Sequence, residues 1–341
     1  MPWLTRAAHS PIGLDLGTHS FKAVQMKPAA KGWESVRSVS LPRVTPGAAL
    51  SAQEIERLKD VLDRRGFYGR EVVVAVPMEL LLTAVLELPA RAAGVPIEQI
   101  AAAEFGRVHK ADSATLTMST WELPPSARAS RATYMLAVGA QSASLTAHID
   151  LIESVGLDVL AVEEPYSAGA RGCLHFAAAS SGLTAVVDIG WSAATLTIMK
   201  QGTVVYTRKL ADAGLVRLHA AAMEATDGQA SELEHDLWRV GFGSSPQPEA
   251  DHAEVLDLLK AHVSEMSGEI KKAFGYATHQ YPDSPMDRVF LIGGGAAIPN
   301  IAGRIQDELG VDTVIAGVDA ADGASSMVSA LGLALWSEDG R

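Results

Sequence analysis

The chain of 341 residues is 48% hydrophobic and 20% charged, the profile of a globular protein long enough for two or more lobes with ample core. A net charge of −12 with no basic tract excludes nucleic acid as the main partner. No stretch approaches the roughly 18 apolar residues of a membrane span, Met1–Ser10 has no signal-peptide apolar core, and the one cysteine, Cys173, suits a small core role in a reducing compartment, so a cytoplasmic protein with no direct membrane insertion is expected.

Ile12–Leu16, Ser20–Met26 and Trp33–Ser40 read as three successive strands. The first runs into Asp15-Leu-Gly17, turns through Thr18-His19-Ser20 and leaves as the second. Asp15 stands where a buried strand reaches solvent, a suitable place for a carboxylate that holds Mg²⁺ through waters. Gly17 permits close backbone approach, the Thr18–Ser20 turn offers N–H and O–H donors to a phosphate, and Lys22 adds a positive charge. Asp-Gly turns are common, so one such hairpin is weak evidence by itself. Ile55, Leu58, Val61 and Leu62 then mark one face of a helix ending at Gly66. Val72–Val76 has the unbroken apolar character of a strand buried on both faces.

After a strand at Thr83–Leu88, the Pro89, Gly94 and Pro96 punctuation predicts a boundary. An insert of order α-β-β-α is expected between 89 and 156: a helix at Ile97–Val108, strands at Thr115–Leu123 and Tyr134–Val138, a loop at Pro124–Arg131, and a helix at Ser142–Val155. Pro165 suits the first turn of a helix reaching Phe176, with Gly169 and Gly172 allowing close backbone packing. This connecting segment, 157–176, separates a first lobe (1–88, carrying the 89–156 insert) from a second lobe (177–335), leaving a tail at 336–341.

The second lobe repeats the opening signature at Val186-Val-Asp188-Ile-Gly190, followed by strands Ala194–Met199 and Val204–Lys209. Asp188 is thus a second carboxylate placed to hold Mg²⁺ through water. Helices are expected at Leu215–Met223 and Glu232–Val240, then a linker at Gly241–Pro248. A long amphipathic helix carries Val255, Leu259, Val263, Met266, Ile270 and Phe274, a stripe that reads as core packing. Asp287–Ile292 leads into Gly293-Gly294-Gly295. A helix from Ile298 to Leu309, a short strand at Thr313–Ile315 and a helix at Ser325–Leu335 close the chain. Two related hairpins and a late glycine platform describe a nucleotide held between two similar lobes.

These residues resemble the actin-like ATPase superfamily (actin, sugar kinases, FtsA, PilM), in which the hairpins are called phosphate 1 and phosphate 2 and the late glycines lie under the adenosine. The resemblance implies an α/β fold, the duplicated, ribonuclease H-like, two-lobe actin-like ATPase fold, with ATP and Mg²⁺ as cofactors. Among its branches, the insert resembles the 1C subdomain of FtsA and PilM. Tyr206-Thr207-Arg208 resembles the Phe-Thr-Arg of PilM, and Gly332-Leu-Ala-Leu335 its terminal Gly-Leu-Ala-Leu. The likeness covers Ile12 to Leu335. It implies a cytoplasmic scaffold of a type IV pilus machine that docks on the cytoplasmic amino-terminal tail of a PilN-like inner-membrane protein, coupling the pilus motor ATPase to the envelope complex. Asp15, Gly17, Thr18, His19, Ser20 and Lys22 would hold Mg²⁺–phosphate from one side, Asp188, Gly190, Trp191 and Ser192 from the other, and Gly293, Gly294 and Gly295 the adenosine. In related ATPases an acidic side chain near Glu164 positions the attacking water; a helix N-terminal charge is the alternative role for Glu164.

Two stretches depart from the family pattern. The second phosphate turn reads Gly190-Trp191-Ser192-Ala193-Ala194, with alanines in place of hydroxyls and an indole where Gly, Ala or Ser is usual. Losing hydrogen bonds to a charged group costs about 1.5–3 kcal/mol each, so nucleotide binding without brisk turnover is expected. The family's Ala-Glu-x-Leu-Lys contacts to ribose and base correspond to Glu232–Arg239. One register puts His235 and Trp238 at the key positions, and Glu234 and Arg239, one step away, are the candidate contacts. Other chemistry is not encoded: no phosphate-binding loop of the Gly-x-x-x-x-Gly-Lys kind, no Gly-x-Ser-x-Gly elbow, and histidines at no ligand spacing. The rival readings are an FtsA-like cell-division protein, lacking that family's terminal membrane helix, a small-molecule kinase, lacking a catalytic acid motif, and a type II secretion relative. The insert offers an exposed strand edge for an extended peptide, or a self-association surface.

Overall fold

A computed structural model describes residues 9–30, 32–90, 95–125, 132–177, 180–225, 236–243, 250–317 and 325–337. Glu234, His235, most of the Pro124–Arg131 loop and most of the Gly241–Pro248 linker lie outside them. The chain divides into two units, the first built from Met1–Gly172, Thr203–Val205 and Ser329–Arg341, the second from Cys173–Gly202 and Tyr206–Val328.

In the first unit, β1 (Ile12–Leu16) pairs antiparallel with β2 (Ser20–Ala29), which pairs antiparallel with β3 (Gly32–Pro42). β1 also lies parallel to β4 (Glu71–Ala75), and β4 parallel to β8 (Asp158–Glu163), giving the order β3-β2-β1-β4-β8. Val72, Val73 and Val74 are fully buried, as their unbroken apolar run predicts. The connection from β3 to β4 is α1 (Ala52–Arg65). Ser51 caps its N-terminus by accepting the Glu54 N–H, and Gly66 ends it in the left-handed conformation at φ 75°. Its Leu58 and Leu62 meet Ile12, Leu14, Phe21, Val72 and Val74 in one core.

The insert differs from the expected α-β-β-α. β5 (Leu82–Pro89) was expected to close the first lobe's own strands, yet it pairs antiparallel with β7 (Ala132–Gln141) from Leu82↔Gly139 to Pro89↔Ala132. With β6 (Leu116–Glu122) it makes a separate three-stranded sheet of order β5-β7-β6. The reason is apolar burial: Leu86 and Leu88 of β5 pack with Ile97, Ala101 and Phe105 of α2 (Ile97–His109) and with Met135 of β7. Pro89 therefore sits inside the insert as the last residue of a strand and does not mark its border. α3 (Ser142–Glu153) leaves the insert and carries Ile152 into the core of the five-stranded sheet.

The second unit repeats the first unit's plan. β9 (Leu183–Ile189), β10 (Ala194–Lys200) and β11 (Thr203–Leu210, its first three residues counted with the first unit) form the antiparallel run; β12 (Met286–Ile292) and β13 (Thr313–Ile315) add in parallel, for the order β11-β10-β9-β12-β13. Strand for strand this matches β3-β2-β1-β4-β8, so the repeat of the Asp-x-Gly signature reflects a repeat of the sheet. Gln201 and Gly202, both at positive φ, make the tight β10–β11 turn. Around this sheet lie α5 (Leu215–Ala225), α6 (Ala250–Gln280) and α7 (Ile301–Leu309). The expected helix at Glu232–Val240 is represented among the described residues by a single wide turn at Asp236–Val240.

The last helix, α8 (Val328–Ala334), crosses α4 (Pro165–Phe176) within the first unit. A β-carbon at Gly332 would overlap the Ala168 carbonyl, and one at Gly13 would overlap the Ala330 carbonyl and Ala334 N–H. Backbone thus rests on backbone where β1, α4 and α8 meet, and Val73, Ala168 and Leu333 fill the space beside them. Replacing Gly332 by Ala should cost about 3 kcal/mol or more, because the clash is with main chain that cannot rotate away. Gly303→Ala, at an exposed position of α7 with open space around it, should instead stabilise by about 0.5–1 kcal/mol. Thermal melts of the two variants check both signs.

Candidate functional site

The site residues fall into two sets, one in each unit. In the first unit, the β1–β2 register places Asp15 directly opposite Lys22, and Lys22 Nζ lies 3.2 Å from Asp15 Oδ2. Both side chains are mostly covered, at 24% and 16% exposure for Asp15 and Lys22. The pair is thus held by sheet geometry at the mouth of the turn, with carboxylate lone pairs left for a hydrated cation. Gly17 is required by the turn itself, since a β-carbon there would stand 2.8 Å from the Ser20 carbonyl oxygen and 3.0 Å from Lys22 Nζ. Thr18 and Ser20 are half-buried and His19 is exposed. The turn's carbonyls are taken by the loop after β3: Thr18 O accepts the Gly47 N–H at 2.8 Å, and His19 O accepts the Arg43 N–H at 2.9 Å.

In the second unit, Asp188 holds the matching place at the end of β9, opposite Thr195 of β10 and beside Ile292 of β12. Gly293, at φ 84°, lies so close that a β-carbon would overlap Asp188 Oδ1, and one at Gly295 would overlap the Ile189 side chain. These two glycines are therefore imposed by packing on β9. At Gly294 no described atom comes within 4 Å of where a β-carbon would stand. The middle glycine is the one whose missing side chain serves no internal contact. The expected helix start at Ile298 shifts, because Gly294–Ala297 forms a short 3₁₀ turn and Asn300 adopts φ 59° before α7 begins.

The Gly190–Ser192 turn is bound to α5. Leu215 N–H donates to Gly190 O at 3.1 Å and Val216 N–H to Trp191 O at 2.9 Å, while Gly214 packs against the Ser192 carbonyl too closely for any side chain. Trp191 is half-buried, with its ring 5.4 Å from His219 of α5. The indole is therefore part of the turn's packing against the helix, and Ser192 stays exposed. Arg239 is exposed on the Asp236–Val240 turn, which Phe242 N–H ties to Pro299 O at 3.0 Å, just beyond the triple glycine. The sequence reading did not single out Arg43, Glu54, Gly214 or His219. The Ser51-x-x-Glu54 pattern was the available signal for Glu54.

Glu164 is buried, and its Oε2 accepts the Ser167 N–H at 2.8 Å. It stands immediately before Pro165, so the geometry is that of a helix N-cap and matches the helix-terminal role. Burial, with the neighbouring Glu163 adding to it, pushes its pKa up to about 7. Glu163 itself pairs with Arg171, which also donates to Gly332 O at 2.7 Å. Among the described residues no group of three His, Cys, Asp or Glu side chains could hold a metal ion. Asp15, in the first unit, and Asp188, in the second, are each a carboxylate of the kind that holds Mg²⁺ when phosphate oxygens and waters supply its other ligands.

A family model described as type IV pilus assembly protein PilM matches residues 13–333. No curated protein matches the sequence. Among solved structures, the chain is similar to the PilM–PilN type IV pilus biogenesis complex, at 16% identity and TM-score 0.76, covering 96% of this chain and 98% of that one. It is also similar to the ethanolamine utilization protein EutJ from Carboxydothermus hydrogenoformans (13% identity, 96% and 90% covered, TM-score 0.55). A third similar structure is MreB5 of Spiroplasma citri bound to ADP (12% identity, 94% and 94% covered, TM-score 0.53). The fold is that of the actin-like ATPases.

The raised pKa of Glu164 has a direction in pH. The folded chain holds this proton more tightly than the unfolded chain does, so its contribution to stability is complete below pH 4.5 and is lost as pH rises through about 7. Glu164→Gln keeps an oxygen to cap α4 and removes the charge. The variant should gain stability relative to the parent as pH rises from 5 to 8, by about 2–3 kcal/mol across that window. Urea melts at both pH values measure the difference.

Proposed function

Because the chain belongs to the type IV pilus assembly protein PilM family, we propose that it is a nucleotide-binding scaffold of a type IV pilus machine that docks on a PilN-like inner-membrane protein. The observation that carries this reading is the family match over residues 13–333, supported by near-complete coverage in both directions against the PilM–PilN complex. Among the described residues no helix is long and apolar enough to cross a membrane, in keeping with a cytoplasmic protein that reaches the membrane through its partner.

The nucleotide of this reading is ATP with Mg²⁺. Asp15 would hold the hydrated metal, with Lys22 and the Gly17–Ser20 turn donating to phosphate. In the second unit Asp188 and the Gly190–Ser192 turn would offer a carboxylate and donors of the same kind, Gly293–Gly295 would take the adenosine, and Arg239, with Glu234, the ribose and base. The metal would supply charge neutralisation to the phosphates. The second turn has backbone donors and one exposed hydroxyl, Ser192, so binding with slow or no hydrolysis is the matching behaviour. Calorimetry should find Mg²⁺-dependent ATP binding, weakened at least tenfold by Asp15→Ala. Gly294→Ala should weaken binding without lowering the melting temperature, whereas Gly293→Ala should lower the melting temperature itself. Rapid ATP turnover by the purified protein would contradict the scaffold reading of the nucleotide.

For the partner, the insert supplies the surface. Its sheet ends in two edge strands, β5 and β6, and an edge accepts an extended peptide by strand addition. Val85, on β5, is 44% exposed. A photo-crosslinker at Val85 should capture the amino-terminal tail peptide of a PilN-like protein, and one at Val216 of α5 should not. Capture at Val216 with none at Val85 would move the docking surface out of the insert.

A further inference from the structure

We propose that the buried Arg43–Glu54 pair is a positioning device for phosphate binding, holding the loop that sets the shape of the first phosphate turn. The inference rests on the reading that the Gly17–Ser20 turn binds phosphate, and deepens it.

The chain of contacts begins in the core. Arg43 and Glu54 form a two-pronged ion pair: Nε donates to Oε1 at 3.1 Å and Nη2 to Oε2 at 2.6 Å. Their side chains are only 4% and 7% exposed. Arg43 Nη2 also donates to Ala49 O at 3.2 Å, and the guanidinium lies over the Phe21 ring, 5.4 Å from its centroid. Phe21 is fully buried and is the second residue of β2, directly after the turn. The arginine is thus fixed from three sides, by a carboxylate, a loop carbonyl and an aromatic face.

Glu54 is fixed in turn by α1. Its N–H donates to Ser51 Oγ at 3.3 Å. Its carboxylate is held well below the usual range, chiefly by the Arg43 hydrogen bonds and charge, with further help from the Val44 and Ser51 amides. Ser51 Oγ thus caps α1 through the Glu54 amide, while the Glu54 carboxylate is turned to Arg43. The carboxylate joins the start of a core helix to the start of the loop.

What this fixed loop does is hold the turn by its carbonyls. Arg43 N–H takes His19 O and Gly47 N–H takes Thr18 O. Between these two anchors the loop is out in solvent, with Val44 at 71% exposure, so no packing at its apex holds it there. With the carbonyls of residues 18 and 19 tied down on the loop side, the peptide planes of the turn are set, and with them the directions of the N–H groups offered to an anion. A salt bridge that touches no ligand thereby decides the donor geometry. Loss of the charge on Glu54 leaves a buried guanidinium uncompensated and frees the loop.

The test uses the full chain and two probes, Mg·ATP and adenosine, titrated by calorimetry into the parent, Glu54→Gln and Arg43→Lys. Adenosine lacks the phosphates, so the ratio of the two affinities isolates phosphate recognition from general damage to the fold. Both variants should lose about tenfold or more in ATP affinity, with adenosine affinity changed less than twofold. Arg43→Lys keeps the charge and loses the fork, so its failure would mark the geometry of the pair as the active feature. An equal fall for both ligands, or no fall for either, overturns the proposal. Hydrogen exchange gives a second readout that needs no nucleotide. Exchange at 43–47 should quicken at least tenfold in Glu54→Gln while α6 is unchanged, and unchanged exchange at 43–47 overturns the proposal. If the parent binds no ATP while the exchange result holds, the nucleotide reading fails and the loop assignment stands.

Discussion

Direct backbone-to-backbone contact at glycine is the constraint on which both units depend. In the first unit β1 has no side chain at Gly13, so α8 lies on the strand itself, and Gly332 lets the same helix press on α4. In the second unit Gly293 and Gly295 let the turn after β12 lie on the end of β9, and Gly214 lets the start of α5 lie on the second phosphate turn. At Gly13, Gly332 and Gly214 an added methyl group would have to displace main chain, which cannot rotate away, and at Gly293 and Gly295 it would run into Asp188 and Ile189 at the end of β9. The carboxylates Asp15 and Asp188 sit at the ends of the strands so clamped. Their positions are consequences of backbone packing more than of their own contacts.

The buried glutamates show how the same side chain is turned to opposite uses by its partner. Glu54 meets a guanidinium fork and is held ionised; Glu164 meets a backbone amide and has Glu163 for a neighbour, and is pushed toward neutrality. Glu163 pairs with Arg171, which also ties down Gly332 O and so joins the charged pair to the α4–α8 crossing. Removing water from a carboxylate stabilises it only when a cation or several donors take the place of that water. The two glutamates lie on either side of that condition.

The Gly190–Ala194 turn carries fewer side-chain donors than the actin-like pattern, but it is not loose. Two amides of α5 hold its carbonyls, and Trp191 lies against His219. A turn locked to a helix in this way keeps its backbone fixed with little help from hydroxyls. Such a turn suits a protein whose work is assembly.

Much of this was legible in the sequence. The doubled Asp-x-Gly hairpin, the triple glycine, the unbroken Val72–Val74 run and the left-handed stop at Gly66 all report local requirements, and local requirements are written in adjacent residues. The sheet membership of β5 was not legible, because an apolar strand followed by proline reads the same whichever neighbour it pairs with. Only the meeting of Leu86 and Leu88 with Phe105 and Met135 decided it. Likewise the sequence shows that Gly293, Gly294 and Gly295 matter together, while their neighbours in space separate two that serve packing from one that does not. Arg43 and Glu54 lie 11 positions apart, with nothing between them to mark them as partners. A buried ion pair is a fact of tertiary structure, made when a strand end and a helix start are brought together by the core beneath them.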